Sequence, residues 1–458
     1  MTRPNVLLIT LDQFRADSLS CAGHPLVQTP NLDALAAAGV RFARHYSQAA
    51  PCSPGRAALY TGTYQMNNRV VANGTPLDAR FDTVALAAQR AGYRPTLFGY
   101  TDQGVDPRTV TDPTDPRLFT YEGVCPGFEV ELDLTGNHTP WLDWLRSHGH
   151  NLETAWAALK SEPDRPGSLS VSTFLTDRFL NWHEHQARPW FAHLSYLRPH
   201  PPYAAAGHFA QMYDPADCPE PLPIPAARHP FHEYALATRG MAAPRDVPRT
   251  RAQYYGMISE VDSQLGRVWA QLRERGGWDN TLIIVTADHG EQLGDQGLIG
   301  KLGFFESSYH VLAIVRDPSA ATAGFVVDEF TENVDITPTV CEAIGIDVPA
   351  QCDGVSLAPF LRGERPNEWR AAATYEFDWR DRSLPAVEDR TSQLTVRRSR
   401  EWAYVQFGDG TWRCFDLAAD PTWQTEVTDP NRVLAAAQAM LVWRATHADR
   451  THTGTLLR

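Results

Sequence analysis

Cys52 stands in Pro51-Cys52-Ser53-Pro54-Gly55-Arg56, between two prolines and four residues before an arginine. Proline fixes its own φ and pushes the residue before it out of the helical region, so Ala50 and Ser53 are expected to be extended and Cys52 to sit in a turn. The run Arg56-Ala57-Ala58-Leu59-Tyr60 favours helix and Gly62 can close it. Cys52 then lies at or just before a helix N-terminus, where the partial positive charge favours an anion. Three other places carry reactive types: Asp12 after the apolar run Val6 to Leu11, Asp288-His289 after Thr281 to Thr286, and His200 within Arg198-Pro199-His200-Pro201-Pro202-Tyr203. A histidine fixed among prolines suits a general acid. Each place also has an ordinary reading: a buried structural cysteine, solvated strand-end loops, and a surface histidine.

The elements that must position these residues are legible. Val6 to Leu11 and Thr281 to Thr286 read as buried parallel strands, and open α/β sheets place ligands at the carboxyl ends of such strands. Asn31 is a plausible cap for a helix ended by Gly39, and Val40 to Ala43 leads on in extended form. Asn73-Gly74 marks a turn. Val84 to Ala91 and Phe174 to His185 read as helices, Pro95 to Gly99 and Pro189 to Tyr196 as strands. Residues 103–170, with Trp141, Trp144 and Trp156, read as an elaborated surface near the site. Residues 204–250 are a proline-rich excursion of the length that serves as a lid or an oligomer contact. Arg251 to Arg275 is an amphipathic helix with Tyr255, Ile258, Val261, Leu265, Val268 and Leu272 on its core face. Val334 to Thr339 opens another helix. From about Ala371 the texture changes to antiparallel strands at 391–397, 402–407 and 413–417, then a helix from Val433 to His447. The expected fold is α/β: a large mixed, mostly parallel sheet sandwiched by helices over residues 1–370, with a small C-terminal α+β subdomain over 371–458.

With 458 residues and 43% hydrophobic content, the chain can bury a sizeable core without staples. Its formal net charge of −13 argues against nucleic-acid and membrane-surface partners. It also means that an anionic substrate needs local positive charge. The seven cysteines are scattered and form no Cys-x-x-Cys, which argues against a disulfide scaffold or a thiolate zinc site. The first apolar run is too short for a secretory signal, so the cytoplasm is the expected compartment.

The stretch from Cys52 to Gly62 resembles the type I sulfatase signature Cys-x-Pro-x-Arg followed by Leu-x-Thr-Gly. That family belongs to the alkaline phosphatase superfamily. The segment from Thr29 to Phe42 resembles the one preceding the sulfatase nucleophile. The run from Asp288 to Lys301, Asp-His-Gly-Glu-x-x-Gly-Asp-x-Gly-x-x-Gly-Lys, resembles the sulfatase metal segment. Matches keep the same order from Asn5 to about Asp420. Two departures matter. Many sulfatases have Gly-Lys-Trp-His where Gly99-Tyr100-Thr101-Asp102 stands here, which together with the turn from Asn73 to Asp78 looks more like the phosphonate monoester hydrolase branch. Many also have Asp-Asp and Asp-Asn where Asp12-Gln13 and Asp288-His289 stand here.

The resemblance implies that Cys52 is oxidised to formylglycine by a formylglycine-generating enzyme. The hydrated aldehyde attacks sulfur or phosphorus with one hydroxyl, and the other expels the bound ester. Metal ligation falls to Asp12, Cys52, Asp288 and His289. Gln13 either ligates through its amide oxygen or contacts substrate. Arg56 anchors the diol and its loop, His200 protonates the leaving group, Lys301 stabilises charge, and Asn73 and Tyr100 contact substrate oxygens. Calcium fits the family resemblance, while manganese or zinc tolerates the histidine better. The expected activity is hydrolysis of small anionic esters: phosphonate monoesters, phosphodiesters and sulfate monoesters. The alternatives are a dedicated arylsulfatase, a two-zinc phosphatase, and a silent anion-binding homologue with an unmodified Cys52. Relatives suggest a homo-oligomer.

Overall fold

The structure is a computed structural model, and it describes residues 3–187, 189–239, 246–320, 322–378 and 392–448. The first apolar run forms β1, Asn5–Leu11, with every residue buried. Its side chains alternate between two core layers: Leu7, Ile9 and Leu11 enter one, Val6 and Leu8 the other. That is why the sequence is continuously apolar there: both faces of the strand are covered. The sheet is completed by β2 Val40–Tyr46, β3 Pro95–Gly99, β4 Glu129–Asp133, β5 Phe191–Tyr196, β6 Thr281–Thr286, β7 Ala313–Arg316 and β8 Phe325–Glu332. Their order is β4-β3-β5-β1-β6-β7-β2-β8. Only β7 runs antiparallel to its neighbours, so the mixed, mostly parallel sheet is as expected.

Helices cover both faces. On one side lie α1, Pro30–Ala38, and the helices Val171–Glu184 and Asp246–Glu274. All six apolar residues assigned to the core face of the long helix are buried. On the other side, Leu59 and Tyr60 of α2, Cys52–Thr61, pack with Val84 and with Val340 of the helix Ile336–Ile344.

Three local expectations are corrected. Ser53 is helical, because α2 already begins at Cys52. Pro54 is tolerated two residues further on, since the first turn of a helix has no acceptors for its N–H groups. α1 begins at Pro30 behind Thr29, one residue before the proposed cap Asn31. Proline presets φ for the first helical position, and Asn31 instead donates its backbone and side-chain N–H to Asp262 Oδ2. Residues 129–133, within the stretch expected as an elaborated surface, form the edge strand β4, where only Leu132 is buried. An edge strand with most side chains in water gives a weak apolar signal.

The second sheet contains β9 Ala372–Asp378, β10 Gln393–Ser399, β11 Trp402–Phe407 and β12 Trp412–Asp416, antiparallel in the order β12-β11-β10-β9. The proposed start of a strand at Thr391 lies outside the described residues. The helix Pro430–Thr446 packs Ala436 and Met440 against Tyr404 and Cys414. A separate layer joins Tyr375, Phe377, Val405 and Phe415 to Phe304, Phe305 and Tyr309. The second sheet therefore props the segment that follows Lys301. It also reaches the approach to Cys52, where the Glu376 N–H donates to the Gln48 carbonyl at 2.8 Å.

Candidate active site

β3, β5, β1 and β6 are consecutive parallel strands, and their carboxyl ends deliver Tyr100, His200, Asp12 and Asp288 to one edge of the sheet. β2 points the same way and leads through residues 47–51 to Cys52. Cys52 is the first residue of α2, and Gly62 closes that helix with φ 69°, as expected. Gly55 explains how α2 approaches so closely. A Cβ there would collide with the Asp288 carbonyl oxygen and lie 3.0 Å from the Ala49 carbonyl.

The expected ligands converge. One ligand atom from each of Asp12, Cys52, Asp288 and His289 lies within 4.8 Å of the others, and all four side chains are buried. His289 Nδ1 lies 3.0 Å from the Gly290 carbonyl. A carbonyl only accepts, so Nδ1 carries the proton and Nε2 presents its lone pair to the cluster. Nε2 stands 3.3 Å from Cys52 Sγ and 4.0 Å from Asp12 Oδ1. Asp12 Oδ1 is buried with no hydrogen-bond partner. A bare imidazole nitrogen and an orphaned carboxylate oxygen facing each other lack a shared positive charge, and a divalent cation fits that gap. This is the only such cluster among the described residues, so a second full metal set is not evident there.

Arg56 holds both carboxylates by Oδ2: on Asp12 this leaves Oδ1 bare, whereas Asp288 Oδ1 accepts from the Gln13 and His289 backbone N–H groups. Nη2 donates to Asp12 Oδ2 at 2.9 Å and Nε to Asp288 Oδ2 at 3.0 Å. Nη1 donates to Ser195 Oγ and to the Tyr100 carbonyl. Expected at the diol, Arg56 has its named partners among the ligand carboxylates and strand ends instead. Tyr100, expected against substrate, donates its hydroxyl to Asp12 Oδ2 at 2.8 Å.

Lys301, His200 and Gln13 form the other side. Lys301 Nζ lies 3.4 Å from Cys52 Sγ, 3.2 Å from His200 Nε2 and 2.9 Å from Gln13 Oε1. His200 Nδ1 meets the Pro201 carbonyl at 2.8 Å, so the same logic gives a bare Nε2 that accepts from Lys301. Gln13, at φ 69°, donates its amide to Glu291. Glu291 also accepts from the Tyr203 hydroxyl at 2.8 Å and the Gly300 N–H at 2.6 Å. Gln13, Asn73, His200 and Lys301 line a cavity of about 620 Å³ over Cys52, and Asn73 Oδ1 accepts from the Ser53 N–H at 3.0 Å.

Electrostatics follow from burial. Burial, then the Lys301 ammonium, lowers His200 to about 4 and His289 to about 3, so both imidazoles are neutral at pH 7. Burial, with the Asp12 charge next, raises the Asp288 carboxyl to about 6. Burial also pushes the Cys52 thiol well above its ordinary value, the reverse of what a thiolate nucleophile needs.

Several positioning residues escaped the sequence reading. Glu291 sits beside His289, but adjacency carried no sign that it would gather Gln13, Tyr203 and Gly300. Glu162 and Arg198 are 36 residues apart and form a buried ion pair beneath the His200 loop. Ser195 and Asp102 flank Arg56, Asp102 at 3.5 Å. β5 is buried at every position, so a serine near the end of a fully covered strand was the available signal for Ser195.

The chain matches the family model described as Sulfatase over residues 4–346, and a model described as N-sulphoglucosamine sulphohydrolase, C-terminal, over residues 294–445. It is 38% identical to the multifunctional alkaline phosphatase superfamily protein PehA of Trinickia caryophylli, covering 99% of this chain and 97% of that protein. The phosphonate monoester hydrolase of Agrobacterium radiobacter superposes with a TM-score of 0.92 at 43% identity, covering 98% of this chain and 97% of the other. The phosphonate monoester hydrolase SpPMH of Silicibacter pomeroyi gives a TM-score of 0.90 at 35% identity, covering 98% and 96%.

Proposed function

This chain belongs to the sulfatase family, and from that premise we propose that it is a formylglycine- and metal-dependent hydrolase of phosphonate monoesters, phosphodiesters and sulfate monoesters. The observation that carries the reading is the placement of Cys52: first residue of a helix, inside a carboxylate–imidazole cluster, with Lys301 Nζ at 3.4 Å.

Asp12, Cys52, Asp288 and His289 would hold the ion, calcium or manganese ahead of zinc because two carboxylates outnumber the one imidazole. A bound divalent cation would supply Lewis acidity, offsetting charge on the substrate and acidifying the nucleophile. Arg56 fixes both carboxylates by Oδ2, leaving Asp12 Oδ1 bare and Asp288 Oδ2 3.7 Å from His289 Nε2. Tyr100 serves Asp12 in the same way. Gln13 ties Lys301 to Glu291, and Asn73, with its oxygen on the Ser53 N–H, keeps its amide N–H₂ for a substrate oxygen.

Conversion of Cys52 to formylglycine by the generating enzyme, followed by hydration, gives one carbon two hydroxyls. One hydroxyl releases its proton to solvent, and its oxygen bonds to phosphorus or sulfur while the bond to the leaving alcohol breaks. The leaving oxygen takes a proton that originates on Lys301, passed directly or through His200 Nε2, because the neutral imidazole keeps its own proton on the Pro201 carbonyl. The Lys301–His200 pair, now short of a proton, accepts one from the second hydroxyl. That oxygen reforms the aldehyde and expels phosphonate or sulfate.

The same reading makes the protein a cytoplasmic homo-oligomer. No described helix is long and apolar enough to cross a membrane. The C-terminal helix leaves Leu434, Leu441 and Val442 exposed, which is apolar surface available for assembly.

The test has two parts. The tryptic peptide from His45 to Arg56 is weighed: the mass of formylglycine or its hydrate is expected, and an intact thiol in protein co-expressed with the generating enzyme would overturn the mechanism. Turnover of phenyl phenylphosphonate is then compared with 4-nitrophenyl sulfate. Both are expected to turn over; activity on the sulfate alone would leave a dedicated sulfatase.

A further inference from the structure

The cavity beside Cys52 is lined by two unlike sets of residues. Gln13, His200, Tyr203 and Lys301 are joined through Glu291 and lie at the reactive end. The rest of the wall is Pro51, Trp156, Pro201, Ile299, Leu302 and Phe377, apart from Ala72, Asn73 and Gly300, and no carboxylate lines it among the described residues. Two of these rings come from distant parts of the chain. Phe377 belongs to β9 of the second sheet. Trp156 belongs to the helix Ala155–Lys160, whose Ala155, Ala158 and Leu159 are buried while Trp156 is 53% exposed.

A large ring kept in water beside a cavity, on a helix that buries Ala155, Ala158 and Leu159, has the character of a binding surface rather than a core. His200 and Lys301 supply the leaving-group proton at the polar end, so the group they protonate must extend along this wall. We infer that the apolar wall is the leaving-group subsite, that Trp156 is its specificity-determining residue, and that the ester's alcohol is an uncharged aromatic or comparably bulky apolar group. This rests on the hydrolase reading of the site. A sugar would lose water from several hydroxyls and meet Asn73 as the one polar side chain on that wall among the described residues. A quaternary ammonium would find no carboxylate there among the described residues, would meet the Lys301 cation, and would compete with Lys160, whose Nζ already lies 5.4 Å from the Trp156 ring centroid.

The test uses modified, metal-loaded full-length protein and the phenyl and trifluoroethyl monoesters of methylphosphonic acid. Comparing mutant with wild type on each ester cancels the intrinsic reactivity of its alcohol. Trp156→Ala is expected to lower kcat/KM about tenfold for the phenyl ester and less than threefold for the trifluoroethyl ester, about 1.4 kcal/mol of discrimination at most. Trp156→Phe is expected to restore most of the loss. Equal loss on both esters, or none, overturns the subsite. Binding of the phenyl ester to unmodified protein, measured by calorimetry, separates the two readings. If neither ester turns over but Trp156→Ala still weakens phenyl-ester binding about tenfold, the hydrolase reading fails and the subsite stands. No discrimination in either readout, including no measurable binding, overturns the subsite.

Discussion

Arg198 Nη1 donates to the backbone carbonyl of His200 at 3.0 Å, from a guanidinium that is almost completely buried. The same nitrogen donates to the Pro202 carbonyl at 3.0 Å, and Nη2 donates to the Ala204 carbonyl at 3.2 Å. Nε and Nη2 also donate to Glu162 Oε2. One planar fork thus turns three carbonyls of the His200 loop inward and is itself neutralised by a carboxylate. Lysine cannot reproduce that fork.

Arg198→Lys is therefore expected to act through His200 rather than on substrate directly. For esters of weakly acidic alcohols, which need a proton as they leave, kcat/KM should fall about 10–100-fold, within the range of general acid catalysis. For 4-nitrophenyl esters the loss should stay below about threefold. Steady-state rates across a series of leaving groups check this, as a steeper dependence on leaving-group acidity. A uniform loss across the series would mark a purely structural role.

Gly55→Ala is expected to separate α2 from the end of β6. The added methyl meets the Asp288 carbonyl, which is backbone and cannot swing aside. Overpacking of this kind costs about 1–3 kcal/mol. Urea unfolding should show that loss, and metal analysis should show less bound ion even in the fraction that stays folded, because Asp288 moves.

Removal of the ion should destabilise the wild type more than a ligand variant. Binding to the folded state alone contributes about 2.7 kcal/mol at a free concentration one hundred times Kd. Chelation should lower the melting temperature of the wild type and leave that of Asp12→Asn nearly unchanged. Elemental analysis should find about one ion per chain in the wild type and well below that in the variant.

Glu260 gives a pH dependence remote from the metal cluster. Burial, then the Glu162 charge, raises its carboxyl from 4.5 to about 7, although Ser170 and Ser172 donate to it. The folded state therefore favours the protonated form. The stability this confers is fully present below pH 4.5 and is lost as the pH rises through about 7. Glu260→Gln cannot ionise, so its stability relative to wild type should rise between pH 5 and pH 8, by about 2–3 kcal/mol. Urea midpoints at the two pH values check the sign.

The strands that carry the site were legible because they lie in the middle of the sheet. β1 and β6 are covered on both faces, buried at every position and apolar through Val6 to Ile9 and Leu282 to Val285. The same contrast explains what was missed. β4 exposes most of its side chains, and β7 and β8 were not distinguished because burial along them is partial or brief. The charged cluster was legible only as separate fragments. Asp12, Cys52 and Asp288-His289 each announced a place where chemistry was possible, and the family resemblance ordered them.

By itself the sequence determined which strand ends carry acids, where the nucleophile's helix begins and ends, and that the sheet is buried on both faces. These are local properties: periodicity, proline and glycine chemistry, and side-chain type at a fixed offset from an element. Only the tertiary structure decided who serves whom. Arg56 and Tyr100 were expected near the diol and the substrate, yet both bind Asp12 Oδ2. Glu291 gathers Gln13, Tyr203 and Gly300; Glu162 braces Arg198; and Trp156 and Phe377 meet across one cavity. Such pairings join residues tens to hundreds of positions apart. They depend on the order in which strands enter the sheet, and that order is set by the packing of the whole core rather than by any local stretch.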